Sequence, residues 1–163
     1  MPAVEKINLR NGMKNAMLRL KESVINNESI IEHAEGRINT YHVFIRDTIN
    51  HINRLNGDIG NRIIRCYQRE IRSWESTIEL AQTNIERNSY LIRSAMKNPR
   101  MSDDRAEKIE SMVRHQEYEM RGVMPVTVHD INEDHNKVMT HLDFVAISRS
   151  ETVGHLQASG MEG

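Results

Sequence analysis

The sequence predicts an all-α protein: a long antiparallel helical hairpin (a coiled coil), followed by shorter helices and a flexible C-terminal tail. Two trains of isoleucine at seven-residue spacing support this prediction, because a helix that buries a narrow stripe against another helix repeats its apolar residues every seven positions. The trains are Ile31, Ile38, Ile45, Ile52 and Ile59, then Ile64, Ile71, Ile78, Ile85 and Ile92. Met17 and Val24 extend the first train backward.

The step of five residues between Ile59 and Ile64 indicates a turn. A continuous coiled coil absorbs insertions of three or four residues, and this step fits neither. Residues 56–61 read Asn-Gly-Asp-Ile-Gly-Asn, in which glycine favours left-handed backbone and Asn or Asp caps helix ends. We therefore expect Gly57 and Gly60 to let the chain reverse. A single unbroken helix is the alternative.

The hairpin has a predicted register if the isoleucine trains occupy heptad position a. In an antiparallel pair, the a residues of one arm then lie opposite the d residues of the other arm. This register pairs Ile52 with Tyr67, Ile45 with Trp74, and Ile31 with Asn88. We expect Trp74 to be a large buried contact. The polar d residues Asn27 and Asn88 either fix the pairing of the helices or lie at a wet, frayed end.

The hairpin and its flanks divide the chain into four predicted segments. These are an N-terminal arm at 1–12, the hairpin at 13–98, a C-terminal helical region at 99–147 and a flexible tail at 148–163. Pro99 stops the second arm, because proline cannot continue a helix, and Ser102 or Asp103 caps the next helix.

The C-terminal helical region contains two predicted helices. The first runs from Asp104 to Arg121 and is strongly charged, with only a narrow apolar face of Ile109, Met112, Val113, Gln116 and Met120. The second begins at a capping residue, Asp130, and runs to about Ile147. After that point Ser, Gly, Glu and Thr dominate, so the tail is expected to be mobile unless a partner orders it.

Several apolar residues of the first arm lie outside positions a and d, including Ile30, Val43 and Phe44. Such a flank must be covered, either by the later helices of the same chain or by another subunit. Because the charged helix offers only a narrow apolar face, we expect a homo-oligomer or stable docking on other protein subunits. Phe44 is expected near that contact.

Four arginines lie at helical spacing just after the turn: Arg62, Arg65, Arg69 and Arg72. Guanidinium groups bind carboxylates and phosphates, so this stripe is a solvated face, a contact for an acidic protein surface or a contact for nucleic acid. The net charge of −1, with both signs spread along the chain, argues against a protein whose main role is to neutralise phosphate.

No catalytic residue, metal ligand or cofactor site is predicted. Cys66 lies beside Arg65, but without an assigned base and pocket it is interpreted as a surface cysteine. Residues 129–143 are rich in His and Asp, yet His135 and His141 stand where a calcium loop requires glycine and glutamate. The segment is interpreted as a capped, solvated helix start, with a transition-metal site as the alternative.

The favoured function is a structural coiled-coil scaffold or adaptor that mediates protein–protein assembly. A phage or viral particle is one setting, because joint abundance of isoleucine and asparagine is common in chains from AT-rich genomes. The alternative is a nucleic-acid-associated or regulatory helical dimer that uses the arginine stripe. With one cysteine, no apolar signal core and no membrane-length apolar stretch, we expect no membrane contact and a cytoplasmic location, with which a virion is compatible.

Overall fold

A computed structural model of the chain describes the backbone of residues 2–52, 56–100, 104–126 and 129–162. It describes side chains over 12–52, 56–100, 104–126 and 129–148. The elements within these ranges are α1 (Pro2–His51), α2 (Gly57–Lys97), α3 (Ala106–Val123) and α4 (Ile131–Glu162). The predicted all-α class is confirmed, and so is the pairing of two long antiparallel helices.

α1 ends at His51, before the glycines that were expected to form the turn. Gly57 and Gly60 both belong to α2, and no described glycine has a positive φ. The prediction that they adopt left-handed backbone is therefore wrong. Gly60 instead permits a close approach between helices, because a Cβ atom there would overlap the side chain of Ile52.

The ends of the later helices largely follow the local sequence signals. α2 ends at Lys97, just before Pro99. Asp130 caps α4, since its Oδ1 accepts hydrogen bonds from the backbone N–H groups of Asn132 at 3.0 Å and Glu133 at 3.4 Å. This cap confirms the predicted start of the last helix.

Two predictions near the C-terminal helices have other outcomes. Ser102 and Asp103, the predicted caps of α3, lie outside the described residues. α4 runs to Glu162, so the predicted helix end near Ile147 falls well short. The mobility expected of residues 148–163 stays a prediction.

The chain divides into two compact units. Unit 1 comprises Met1–Gly36 and Ser73–Met124, and unit 2 comprises Arg37–Arg72 and Pro125–Gly163. Each unit therefore contains an antiparallel stretch of α1 and α2 together with one further helix. That helix is α3 in unit 1 and α4 in unit 2.

Heptad position d is the most buried column of the long helices. The buried d residues of α1 are Met13, Leu20, Asn27, Ala34, Tyr41 and Thr48, and those of α2 are Gly60, Trp74, Ala81 and Asn88. The isoleucines at position a are half-buried, with Ile71 as the exception. Buried g residues, such as Ser23 and Phe44, flank the d column on its other side. The centre of packing is thus d, flanked by a and g.

The predicted register between α1 and α2 is wrong. In unit 1, the ring of Trp74 packs edge-on against His33, with ring centroids 5.4 Å apart, and Asn88 Nδ2 lies 3.0 Å from Ser23 Oγ. In unit 2, Tyr67 packs against Tyr41 at 5.7 Å. Trp74, Asn88 and Tyr67 thus contact residues that lie earlier in α1 than the predicted partners Ile45, Ile31 and Ile52. The reason is that d residues of α1 face d residues of α2, whereas the predicted register placed a opposite d. Trp74 is nevertheless 2% exposed, as the prediction required.

The third helix of each unit packs on the g side of the hairpin. In unit 1, α3 buries Ile109, Val113, Gln116 and Met120, all on its predicted apolar face. Ile109 and Val113 join one apolar cluster with Met13, Ala16 and Leu20 of α1. In unit 2, α4 buries His135, Met139 and Leu142. Within the part of the chain that the structure describes, no helix is long and apolar enough to cross a membrane.

Candidate functional site

Each unit has an apolar face on the side opposite its third helix. In an antiparallel pair centred on d, the a residues of both helices lie on one side and the g residues on the other, because reversing a helix also reverses its sense of rotation. We call the half-buried a residues the isoleucine face of each unit, apart from Met17 and Ile92, which pack against the apolar cluster of unit 1. That face is Val24, Ile31, Ile78 and Ile85 in unit 1, and Ile38, Ile45, Ile52 and Ile64 in unit 2.

More exposed apolar side chains extend both isoleucine faces. In unit 1, Leu18 is 57% exposed and Ile25 is 63% exposed, each at the position after an a residue of α1. In unit 2, Ile49 is 54% exposed and lies between Ile45 and Ile52 on the same side of α1. A contiguous apolar surface of this kind marks a contact site more often than scattered single residues do.

The charges beside the two isoleucine faces differ in sign. Positions e and b border each face. In unit 1 they hold exposed glutamates: Glu28, Glu32, Glu35, Glu75, Glu79 and Glu86. The basic residues Lys14, Lys21 and Arg93 occupy such positions nearer the N-terminal end of α1 and the C-terminal end of α2. In unit 2 the exposed charged residues at these positions are Arg46, Arg65, Arg72 and Asp58.

The residues predicted to form a partner contact have three different environments. Phe44 is only 5% exposed, because His135 of α4 stacks on its ring at 4.1 Å. The prediction that Phe44 lies exposed at a contact with another subunit is wrong, because the last helix of the same chain covers it. Ile30 is half-buried and lines a groove of about 290 Å³ in unit 1. Val43 is 50% exposed and remains accessible to a partner.

The four arginines of the predicted stripe are all exposed on α2 within unit 2. Arg65 and Arg72 lie at position b, next to the isoleucine face, whereas Arg62 and Arg69 lie at position f. Arg69 also lines a groove of about 350 Å³ together with Cys66, which is itself exposed. Binding of an acidic surface or of nucleic acid by the stripe stays a prediction.

A partly buried polar row in unit 2, centred on the buried His135, was not found by sequence reasoning. Tyr67 Oη lies 2.6 Å from His135 Nδ1, and His135 Nε2 lies 2.7 Å from Asp47 Oδ2. A carboxylate only accepts hydrogen bonds, so Nε2–H donates to Asp47. In the neutral ring, Nδ1 then accepts the phenol O–H of Tyr67. The available signals were Tyr67 at a d position and a histidine in the polar segment, but neither identifies its partner.

The row continues from Asp47 to a second histidine. His51 Nδ1 lies 2.7 Å from the backbone oxygen of Asp47 and 3.5 Å from its Oδ1. His51 Nε2 lies 3.9 Å from Asp143 Oδ2. Asp47 therefore stands between two imidazole rings and joins α1 to α4.

The phenols of Tyr67 and of its neighbour Tyr41 hold their protons more tightly than usual. Burial, with smaller contributions from Tyr41 and Asp47, raises the pKa of Tyr67 to about 12. Burial also raises the pKa of Tyr41, aided by the charge of Glu70. The raised pKa values keep both phenols protonated at neutral pH.

Unit 1 has a buried polar layer of amides. Asn88 and Gln116 exchange two hydrogen bonds, at 3.0 and 2.9 Å, which join α2 to α3. Asn88 also donates to Ser23 Oγ at 3.0 Å, and Asn84 donates to Asn27 Oδ1 at 3.5 Å. Asn27 and Asn88 were expected either to fix the pairing of the helices or to lie at a wet, frayed end. The first interpretation fits this buried layer, because the two residues are 6% and 0% exposed.

The His- and Asp-rich segment at 129–143 is divided between several contacts. Asp130 caps α4, His135 is buried in the polar row, and Asp143 lies near His51. Among the side chains that the structure describes, no three His, Cys, Asp or Glu residues come together as metal ligands would.

Comparison of the chain with protein-family models finds no match. Comparisons with characterised proteins and with solved structures also find none. By its fold, the chain is a helical hairpin with two units, each covered on one side by a third helix.

Proposed function

We propose that this chain is a self-assembling helical scaffold that acts by binding, with its isoleucine faces as the contact surfaces. The observation that carries the proposal is the position of the a residues. They keep the seven-residue spacing of a helix–helix contact, yet in each unit the third helix packs on the opposite side.

The exposed neighbours of the faces support binding of a further helix. Ile25 and Ile49 are more than half exposed at 63% and 54%, beside half-buried isoleucines. Covering such side chains in an assembly removes apolar surface from water, at roughly 25 cal/mol per Å². The chain's own third helices are already used on the other side. A helix from another subunit would complete the packing.

The polar layers support a scaffold rather than an enzyme. The amides of unit 1 satisfy each other, and the Tyr67 pKa of about 12 makes that phenol a weak acid at neutral pH. Both layers join helices to each other. Polar contacts that join helices in this way support a role as a rigid framework. A phage or viral particle is one setting for such a framework.

The test is self-association of the purified chain, measured by sedimentation equilibrium from low to high micromolar concentration. The wild-type chain is expected to form oligomers. Ile25→Gln with Ile49→Gln should give a smaller species with unchanged helical content by circular dichroism, because both side chains are largely exposed in the monomer. A wild-type chain that stays monomeric throughout contradicts the proposal.

A matched control uses apolar side chains on a different surface. Phe144 and Ile147 are 67% and 59% exposed on α4, on the side of that helix away from its buried residues. Phe144→Gln with Ile147→Gln removes as much apolar surface without touching the isoleucine faces. This variant should associate like the wild type, and equal loss in both variants would show non-specific adhesion.

A further inference from the structure

The two isoleucine faces have the same apolar residues at their centre and opposite charges at their borders. In unit 1, Ile31, Ile78 and Ile85 lie among the glutamates at positions e and b. In unit 2, Ile45 and Ile64 lie among the arginines at position b. The sign of the border charge is the main difference between the two surfaces.

We propose that the glutamate-bordered face of unit 1 in one copy docks on the arginine-bordered face of unit 2 in a second copy. This pairing rests on the proposed function as a self-assembling scaffold. The occupant of each face is thus a second copy of this chain. Complementary charges at the edge of a contact fix the register and exclude wrong partners.

Charge argues against the two alternative pairings of identical faces. Docking unit 1 on unit 1 would bring Glu28, Glu32 and Glu79 toward glutamates of the second copy across an apolar contact. Docking unit 2 on unit 2 would do the same with Arg46 and Arg65. Like charges repel in both cases, whereas the unlike pairing brings carboxylates to guanidinium groups, which bind them with two parallel hydrogen bonds.

The proposal predicts a specific salt response. Exposed charges are screened over about 10 Å at 0.1 M salt. Association through the unlike faces should therefore weaken from low salt to about 0.5 M and level off, because the isoleucine contact remains. A contact between like faces would instead strengthen as salt screens the repulsion.

The decisive experiment is a charge exchange between two variants. The first variant carries Glu28→Lys and Glu79→Lys, which makes the unit 1 border more basic. The second carries Arg46→Glu and Arg65→Glu, which makes the unit 2 border acidic. Each variant alone should lose self-association by roughly tenfold or more, because its reversed side chains meet like charges on the facing surface. An equimolar mixture should regain wild-type association, since the two variants are complementary.

The control places the same charge changes away from the faces. Glu22 and Arg62 lie exposed at position f, on the outer side of α1 and α2. Glu22→Lys with Arg62→Glu should leave association unchanged. The single variants Arg62→Glu and Arg65→Glu are also compared: if Arg62→Glu matches the loss caused by Arg65→Glu, the whole arginine stripe is the contact surface and the proposed pairing is wrong.

The outcomes separate this pairing from the proposed function. If Ile25→Gln with Ile49→Gln abolishes association but mixing the charge variants does not restore it, the chain is a self-assembling scaffold with another pairing of surfaces. If the wild-type chain is monomeric at every concentration and salt, both proposals fail. Circular dichroism of each variant shows that a loss is not caused by unfolding.

Discussion

Units 1 and 2 use different stretches of one helical hairpin and hold their third helices in different ways. In both, d residues from α1 and α2 form the centre and a third helix covers the g side. The polar layer of unit 1 consists of neutral amides, with Asn88 and Gln116 at 0% and 4% exposure. The layer of unit 2 is a row of titratable groups in which His135 is 4% exposed between Asp47 and Tyr67.

This difference shows that one heptad framework can hold its third helix by two kinds of polar contact. Amides do not titrate, so the pairing in unit 1 is independent of pH. The phenol of Tyr67 has a pKa raised to about 12, so its contribution to the attachment of α4 in unit 2 depends on pH in the alkaline range. The two units should therefore respond differently to substitutions and to pH.

The largest expected effect is in unit 1 at Trp74. Its side chain is 2% exposed and packs edge-on against His33, so Trp74→Ala should lower the free energy of unfolding by about 3–5 kcal/mol. Urea denaturation followed by circular dichroism gives this value. Tyr90→Ala on the same helix, where the ring is 63% exposed, should change it by less than about 0.5 kcal/mol. Similar losses in the two variants would place Trp74 outside the core.

An intermediate effect is expected from the amide layer of unit 1. Asn88→Ala leaves the Gln116 amide without its partner in a buried site and removes one of two donors to Ser23 Oγ, so it should cost about 2–3 kcal/mol in urea denaturation. The double variant Asn88→Leu with Gln116→Leu should cost less than that single change, because neither amide is then left unpaired. A double variant less stable than Asn88→Ala would show that packing space, and not hydrogen bonding, decides this layer.

The smallest effect is expected from Tyr67→Phe in unit 2. Loss of the phenol donor to His135 should cost about 1–2 kcal/mol at pH 7. The pKa of Tyr67 is about 12 in the folded chain against an ordinary value of 10.0. Because the folded state favours the neutral phenol, this stabilisation is complete below pH 10 and is lost as the pH rises toward 12.

The pH dependence distinguishes the two units. The difference in unfolding free energy between wild type and Tyr67→Phe should shrink from pH 10 to pH 12. The corresponding difference for Asn88→Ala should stay constant over that range, because no titratable group is removed. A constant difference for Tyr67→Phe as well would mean that its phenol ionises equally in the folded and unfolded chain.

Much of the fold could be predicted from short stretches of sequence. Seven-residue spacing indicated the two long helices, Pro99 indicated the end of α2, and Asp130 indicated the start of α4. The apolar face of α3 was also predicted correctly. Each of these features depends on neighbouring residues alone, through periodicity, capping or the missing N–H of proline.

The candidate site was predicted less well. The two isoleucine trains predicted the correct long helices. However, the isoleucines themselves were expected to lie buried between the two arms. Phe44 was expected at a contact with another subunit, and α4 covers it instead. Both errors have one physical cause: the side on which a third helix packs decides which heptad column becomes the centre.

The sequence by itself determined that the chain forms helices, roughly where it reverses and which residues share a helix face, because backbone hydrogen bonding and heptad spacing are local. The tertiary structure alone decided the register and the central position of the d column, since both depend on how three helices pack together. It also assembled the polar row of unit 2, where Tyr67 and Asp47 lie 68 and 88 residues from His135 along the chain. Contacts over such separations depend on geometry that no single stretch of sequence contains.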